Sequence, residues 1–152
     1  MSLTFRTAIK DDHLMLTDIA QASKSHWDYP ACWLEIWRDG LTITPQLIDK
    51  WAIIVAEDDG QPIGFFAIID LGKTSILEHF WLLPEHIGKG YGRQMLNQLK
   101  ATAHTMQIEQ LVIDSDPQAE PFYLHCGATP TGLAISLLEG TVRTLPIMTL
   151  KI

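Results

Sequence analysis

Leu82-Leu83-Pro84-Glu85-His86-Ile87-Gly88-Lys89-Gly90-Tyr91-Gly92-Arg93 is the most informative stretch of the chain. The apolar run 76–83 before it reads as a strand that ends at Pro84, and a helix follows from about Gly92 to Met106. Met95, Leu96, Leu99, Ala103 and Met106 fall on one side of that helix. Between strand and helix, three glycines on alternate positions remove side chains and let the main chain approach an anion closely. Backbone N–H groups and the helix dipole together favour a phosphate there. A ligand-free glycine-rich connection is the competing reading. The P-loop pattern GxxxxGKS/T is absent, and Gly88, Gly90 and Gly92 spell GxGxG where a dinucleotide fingerprint needs GxGxxG. The residues point to a polyphosphate site and leave its cofactor open.

Working outward, residues 52–56 and 63–69 are β-rich apolar runs joined across Asp58-Asp59-Gly60, a hairpin signal. Residues 3–8 read as a first strand, followed by a helix capped by Asp11 or Asp12 with Met15, Ile19 and Ala22 on one face. Residues 25–30 form a loop. A second helix spans 31–39, with Gly40 as its stop, and Thr44-Pro45 opens a short third. On the C-terminal side, 111–113 is a strand and Asp116-Pro117 reads as the cap and first residue of a helix that Gly127 closes. Two last strands, 131–138 and 142–152, flank Glu139-Gly140. A hairpin beside strand–helix–strand units predicts a mixed sheet covered by helices, in one α/β domain over 1–152.

The 152 residues suffice for one core, and 47% hydrophobic with 19% charged content excludes disorder. A net charge of −7 argues against nucleic acid and anionic membrane surfaces as partners. Cys32 and Cys126 lie in unrelated contexts, which predicts a reducing compartment, and Cys126 reads as a buried thiol. No apolar run reaches membrane-spanning length and no signal-peptide core is present, so the expectation is a cytoplasmic protein. Six histidines without HxxxH, HxH or Cys/His spacing predict no metal.

At the glycine loop the sequence resembles the Gcn5-related N-acetyltransferase (GNAT) superfamily. The family's cofactor loop follows Gln/Arg-x-x-Gly-x-Gly/Ala, here residues 87–92 with Ile87 in the first place. A second motif, Asn-x-x-Ala-x-x-x-Tyr-x-x-x-Gly-Phe, is matched by Asp116, Ala119, Tyr123 and Gly127, with Asp for Asn and Ala128 for Phe. The resemblance is clear over 51–127 and weak over 9–50. It implies a mostly antiparallel central sheet flanked by helices, and an acetyl-CoA-dependent N-acetyltransferase acting by direct transfer in a ternary complex. Main-chain donors of Ile87, Gly88, Lys89, Gly90, Tyr91, Gly92 and Arg93 would hold the pyrophosphate. The Lys89 and Arg93 side chains are either phosphate contacts or solvated. Phe80 and Leu82 would offer backbone groups to pantetheine and the thioester carbonyl, with Phe122 beside them. Asp116 reads as a pantetheine contact by the resemblance and equally as a helix cap, and the cap is preferred.

Tyr123 is the candidate proton donor to the leaving thiolate, a phenol being protonated at neutral pH. Packing against Phe122 is the alternative. Glu78 or His79 is the candidate base; adjacent strand residues face opposite ways, so one at most points into a cleft, and Glu78 is preferred. Trp27, Asp28 and Tyr29 are expected to line the acceptor cleft, while Trp33 and Trp37 read as core. The acceptor is expected to be a small-molecule amine, and the last strands are the candidate homodimer face. The rival functions are a non-catalytic acyl-CoA-binding regulatory module, transfer of a longer acyl group, and a dinucleotide-binding enzyme.

Overall fold

Asp59 and Gly60 both take positive φ (52° and 80°), which matches a tight hairpin turn to the twist of the strands it joins. That turn connects β2 (Ala52–Asp58) to β3 (Gln61–Ile69), the first two strands of the hairpin read in the sequence. The computed structural model describes residues 3–152. The other strands are β1 (Thr4–Thr7), β4 (Thr74–Leu82), β5 (Gln110–Asp114), β6 (Thr129–Leu138) and β7 (Thr141–Lys151). They form one seven-stranded sheet in the order β1-β2-β3-β4-β5-β7-β6, antiparallel at every pair except β4–β5. The expected α/β fold with a mostly antiparallel sheet flanked by helices is what the chain adopts.

β3 is central, and both its faces are apolar because both are covered. Phe66 and Ile68 pack with Leu77 of β4 against the layer of α4 (Tyr91–Thr105) and α5 (Glu120–His125). Phe65 and Ala67 face α1 (His13–Ser25), α2 (Ala31–Leu41) and α3 (Pro45–Lys50). Each fully buried side chain of this size contributes about 1.5–3 kcal/mol. α4 is anchored by Met95, Leu96, Leu99 and Ala103, the side expected. α3 is capped as expected: the Leu47 N–H donates to Thr44 Oγ1 at 3.2 Å, and Pro45 follows the cap.

Three local readings are corrected. The buried stripe of α1 is Leu16, Ile19, Ala20 and Ser23, while Ala22 is exposed and Met15 only half-buried. α2 runs through Gly40 to Leu41, since an exposed glycine without a left-handed turn can stay helical. Asp116-Pro117 does not open α5: Asp116 starts a turn, the Ala119 N–H donating to its carbonyl at 2.9 Å, and α5 begins at Glu120 with Pro121 in its first turn. Among the described residues, no helix is long and apolar enough to cross a membrane. β6 is an open edge strand on which Leu133, Ile135 and Leu137 are 68%, 78% and 72% exposed.

Two features of β4 shape the site. β3 steps once, from Ala67 to Ile68, while β4 steps twice, from His79 to Leu77, making Glu78 the extra residue of a bulge. β5 then pairs with β4 only over 74–76. Beyond Ile76 the two strands part, and a cavity opens between them.

Candidate active site

The parted segment of β4 has a strand partner on one side only. The Leu83 N–H donates to the Ile63 carbonyl of β3 at 2.8 Å, whereas the Leu82 carbonyl turns the other way and accepts Ser23 Oγ at 3.2 Å. Successive strand residues alternate direction, so the backbone of Phe80 and Leu82 faces the opening. The chain then makes a single 3-10 turn, Pro84–His86, and enters the glycine loop. Gly88 and Gly90 hold φ of 88° and 81°, a left-handed region costly for any other residue, and Gly90 is the N-cap of α4. The next N–H groups have no carbonyl within their own helix to bond. A Cβ at Gly88 or Gly90 would point into open space, while one at Gly92 would come within 3.0 Å of the Phe122 ring. The loop is therefore a bare-backbone cradle beside a tight α4–α5 contact.

A cavity of about 390 Å³ joins these pieces. Of the expected cofactor-binding residues, Phe80, Leu82, Ile87, Gly88, Gly90, Gly92, Arg93, Asp116 and Phe122 line it. Lys89 is exposed and does not. The Tyr91 side chain packs in the core with Leu3, Ile63 and Met95, and its hydroxyl donates to Asp58 Oδ2 at 3.0 Å. Only the Tyr91 main chain belongs to the loop. The cavity also takes in Ser23, Trp81, Gln118, His125 and Cys126, which the sequence reading did not assign. Cys126 is buried, as expected of that thiol.

Tyr123 lines the same cavity, held by ring contacts at 6.1 Å to Phe80 and 5.4 Å to Phe122. Packing and cavity-lining thus coexist in one side chain. Burial, then the neighbouring Cys126 and Asp116, push its pKa well above that of free tyrosine. Among the described residues its hydroxyl has no hydrogen-bond partner, so the phenol proton is uncommitted. The two base candidates part company at the bulge. His79 is 5% exposed and faces α1–α3, near the rings of Phe65 and Trp51. Its Nδ1 accepts the Trp81 indole N–H at 2.9 Å, and burial pushes its pKa down to about 4, so it is neutral and turned away from the cleft. Glu78 opens to solvent, its carboxyl held above the usual range by partial desolvation and then by the like charge of Asp114.

Beside the cavity stands a side-chain cluster drawn from three elements (α1, α2 and β7) and from the loops before α2 and α5. Asp116 forms an ion pair with Lys24 of α1, accepts the Tyr29 hydroxyl at 2.7 Å, and accepts the Gln118 N–H at 2.9 Å. Burial opposes the charge of both partners of the ion pair. It pulls Lys24 below the usual lysine range, whereas at Asp116 Lys24 and the Gln118 N–H outweigh burial and keep the carboxylate ionised. Arg143 of β7 donates to the Tyr29 hydroxyl at 3.3 Å. Trp33 and Trp37, read as core, are half-buried and pack tilted or edge-on with Tyr29 around these cations. Trp27 lines the cavity; Asp28 is exposed and outside it; Tyr29 reaches it only through Asp116. Lys24 and Arg143 carry no local sequence signal: one reads as a last-turn helix lysine, the other as an ordinary strand residue.

A family model described as an acetyltransferase (GNAT) domain matches residues 49–127. The chain belongs to the GNAT acetyltransferases. No curated protein sequence matches it. Among solved structures, it is similar to a GCN5-related N-acetyltransferase of Rhodopseudomonas palustris at 18% identity and TM-score 0.83, covering 100% of this chain and 97% of that one. A PaiA N-acetyltransferase of Thermoplasma acidophilum, solved in complex with coenzyme A, matches at 19% identity and TM-score 0.76, covering 100% of both chains. A Salmonella typhimurium chain solved with its cofactor acetyl-CoA matches at 22% identity and TM-score 0.70, covering 99% of this chain and 94% of that one. At these identities the likeness concerns the fold.

Proposed function

We propose that the protein transfers the acetyl group of acetyl-CoA directly to the primary amine of a small molecule, within a ternary complex. The observation that carries this reading is one continuous cavity, bordered by the bare loop at Gly88 and Gly90, by parted β4, and by Trp27 and Asp116. The open space over Gly88 and Gly90 fits a pyrophosphate, and the N-terminus of α4 supplies N–H donors for it. Relatives of the same fold, solved with coenzyme A or acetyl-CoA, support that occupant.

Acetyl-CoA supplies an activated carbonyl: the C–N bond forms, the C–S bond breaks, and CoA departs as a thiolate. The chain's own groups meet the remaining demands. Backbone of Phe80 and Leu82, freed from β5, faces the carbonyl position and can donate to its oxygen. Tyr123, held as a neutral phenol by burial, gives its proton to the thiolate. The amine must lose one proton, and Glu78, exposed at the bulge and outside the cavity lining, takes it through water. His79 has no part in this, since its ring faces the other layer.

The first test is a melting titration with acetyl-CoA, CoA and NAD in parallel. A ligand at 100-fold its dissociation constant stabilises the fold by about 2.7 kcal/mol. Stabilisation by acetyl-CoA and CoA, amine-dependent thiol release, and intersecting initial-rate lines are expected. Binding with no release from any amine would make the domain an acyl-CoA-binding module; parallel lines would point to a covalent relay instead.

We also propose a second copy of this chain as partner at the β6 edge. An open antiparallel edge can pair with its own copy about a two-fold axis, and the exposed apolar stripe Leu133, Ile135, Leu137, extended by Val142, has no charge to oppose this. Light scattering should give twice the chain mass for the wild type and the single mass for Ile135→Lys. A monomeric wild type overturns it.

A further inference from the structure

Arg143 is a charged group that the transfer chemistry leaves unused. It is half-buried on β7, its guanidinium 5.2, 5.4 and 5.0 Å from the ring centres of Tyr29, Trp33 and Trp37. Aromatic faces attract a guanidinium but accept few of its hydrogen bonds. Of five N–H donors, one is used, toward the Tyr29 hydroxyl. Among the described residues, no carboxylate oxygen lies within 4.0 Å of it.

The surrounding charges sharpen this. Lys24 and Asp116 neutralise each other, so the cluster keeps one uncompensated positive charge, in a chain whose net charge is −7. That charge stands two hydrogen bonds, of 3.3 and 2.7 Å, from Asp116, which borders the cavity. The three rings stand against the guanidinium, whose paired N–H groups match the two oxygens of a carboxylate. Lys24 screens Asp116, the carboxylate of this cluster, which would otherwise repel such a ligand.

We infer that Arg143 binds a carboxylate carried by the acceptor, which makes the acceptor class amino acids and close analogues, with amine and carboxylate a few bonds apart. This rests on the transferase reading. It assigns the amine end to the cavity beside Tyr123, and the carboxylate end to the ring-backed cation.

The test compares α-amino acids with their own carboxamides, at equal concentrations of free amine, in the wild type, Arg143→Ala and Arg143→Lys. The acid should be favoured by about 10- to 100-fold in kcat/KM, mostly through KM, as two charge-assisted hydrogen bonds imply. Arg143→Ala should bring the ratio close to one, and Arg143→Lys should keep part of it, retaining charge without the fork. CoA should still raise the melting temperature of both variants, which separates a lost acceptor contact from a lost fold. Equal rates for acid and amide in the wild type, or a ratio unchanged in Arg143→Ala, overturn this inference alone. Thiol release from no amine in either series overturns the transferase reading and this inference with it.

Discussion

On one side of the cavity, residues 87–93 supply backbone from a single continuous stretch; on the other, Asp116 borders it, and Lys24, Tyr29 and Arg143 arrive from separate parts of the chain to meet behind Asp116 through their side chains. The first wall depends on φ values and on missing side chains, so it tolerates changes in the side chains it does keep. Ile87, standing where the family pattern has Gln or Arg, leaves the loop and its cavity in place. The second wall has no such tolerance. Each member is a partner of the next, and altering one charge alters what the others can bind. A cofactor common to a family suits the first kind of wall, and an acceptor that differs between relatives suits the second.

The largest expected effect lies where the walls meet. Tyr123→Phe should lower kcat by about 100-fold or more while leaving the CoA dissociation constant within about threefold, because only the proton is removed. An unchanged kcat in steady-state assays would return Tyr123 to a packing role. Next comes the acceptor wall itself. Lys24→Met strands the Asp116 carboxylate, both side chains being 12–14% exposed, and should cost about 2–3 kcal/mol in urea unfolding. Adding Asp116→Asn should restore most of that loss; a double variant as unstable as the single one would mean that Lys24 acts by packing.

A third measurement asks whether acid sensitivity belongs to the cleft or to the core behind it. His79 has a folded pKa of about 4 against 6.5 when unfolded, so the unfolded chain binds more protons between those values. Stability should therefore be intact above pH 6.5 and fall by about 3 kcal/mol as the pH drops to 4. His79→Gln should flatten that slope, and a slope that persists would assign it to carboxylates instead. The smallest effects come from the backbone wall. Gly92→Val, driven into the Phe122 ring, should weaken CoA binding about tenfold, whereas Lys89→Ala should change it by less than about threefold. The reverse order in a calorimetric titration would mean that side chains, not main chain, hold the phosphates.

The hairpin at Asp59-Gly60, the α4 stripe and the glycine loop could all be read from the sequence because each is decided by neighbours within a turn or two. The cap assigned to Asp116 failed for the opposite reason. Its carboxylate is engaged by Lys24 and Tyr29, 92 and 87 residues away, and by the nearby Gln118 N–H, so α5 starts four residues later. Between Glu78 and His79, alternation along a strand allowed only one to face the opening. The bulge turns His79 toward Phe65 and Trp51 and leaves Glu78 exposed to solvent, neither of them lining the cavity, and that bulge depends on β3 register.

Local chemistry alone determined the order of elements, the mixed sheet and the bare-backbone glycine loop, since glycine freedom, hydrophobic period and turn residues act over a few bonds. Only the tertiary structure decided where β4 and β5 part, which face of β4 each side chain takes, and that Arg143 comes to rest on the rings of Tyr29, Trp33 and Trp37. Charges and rings attract through space, and the distances that make those attractions count exist only once strands remote in the chain have been packed together.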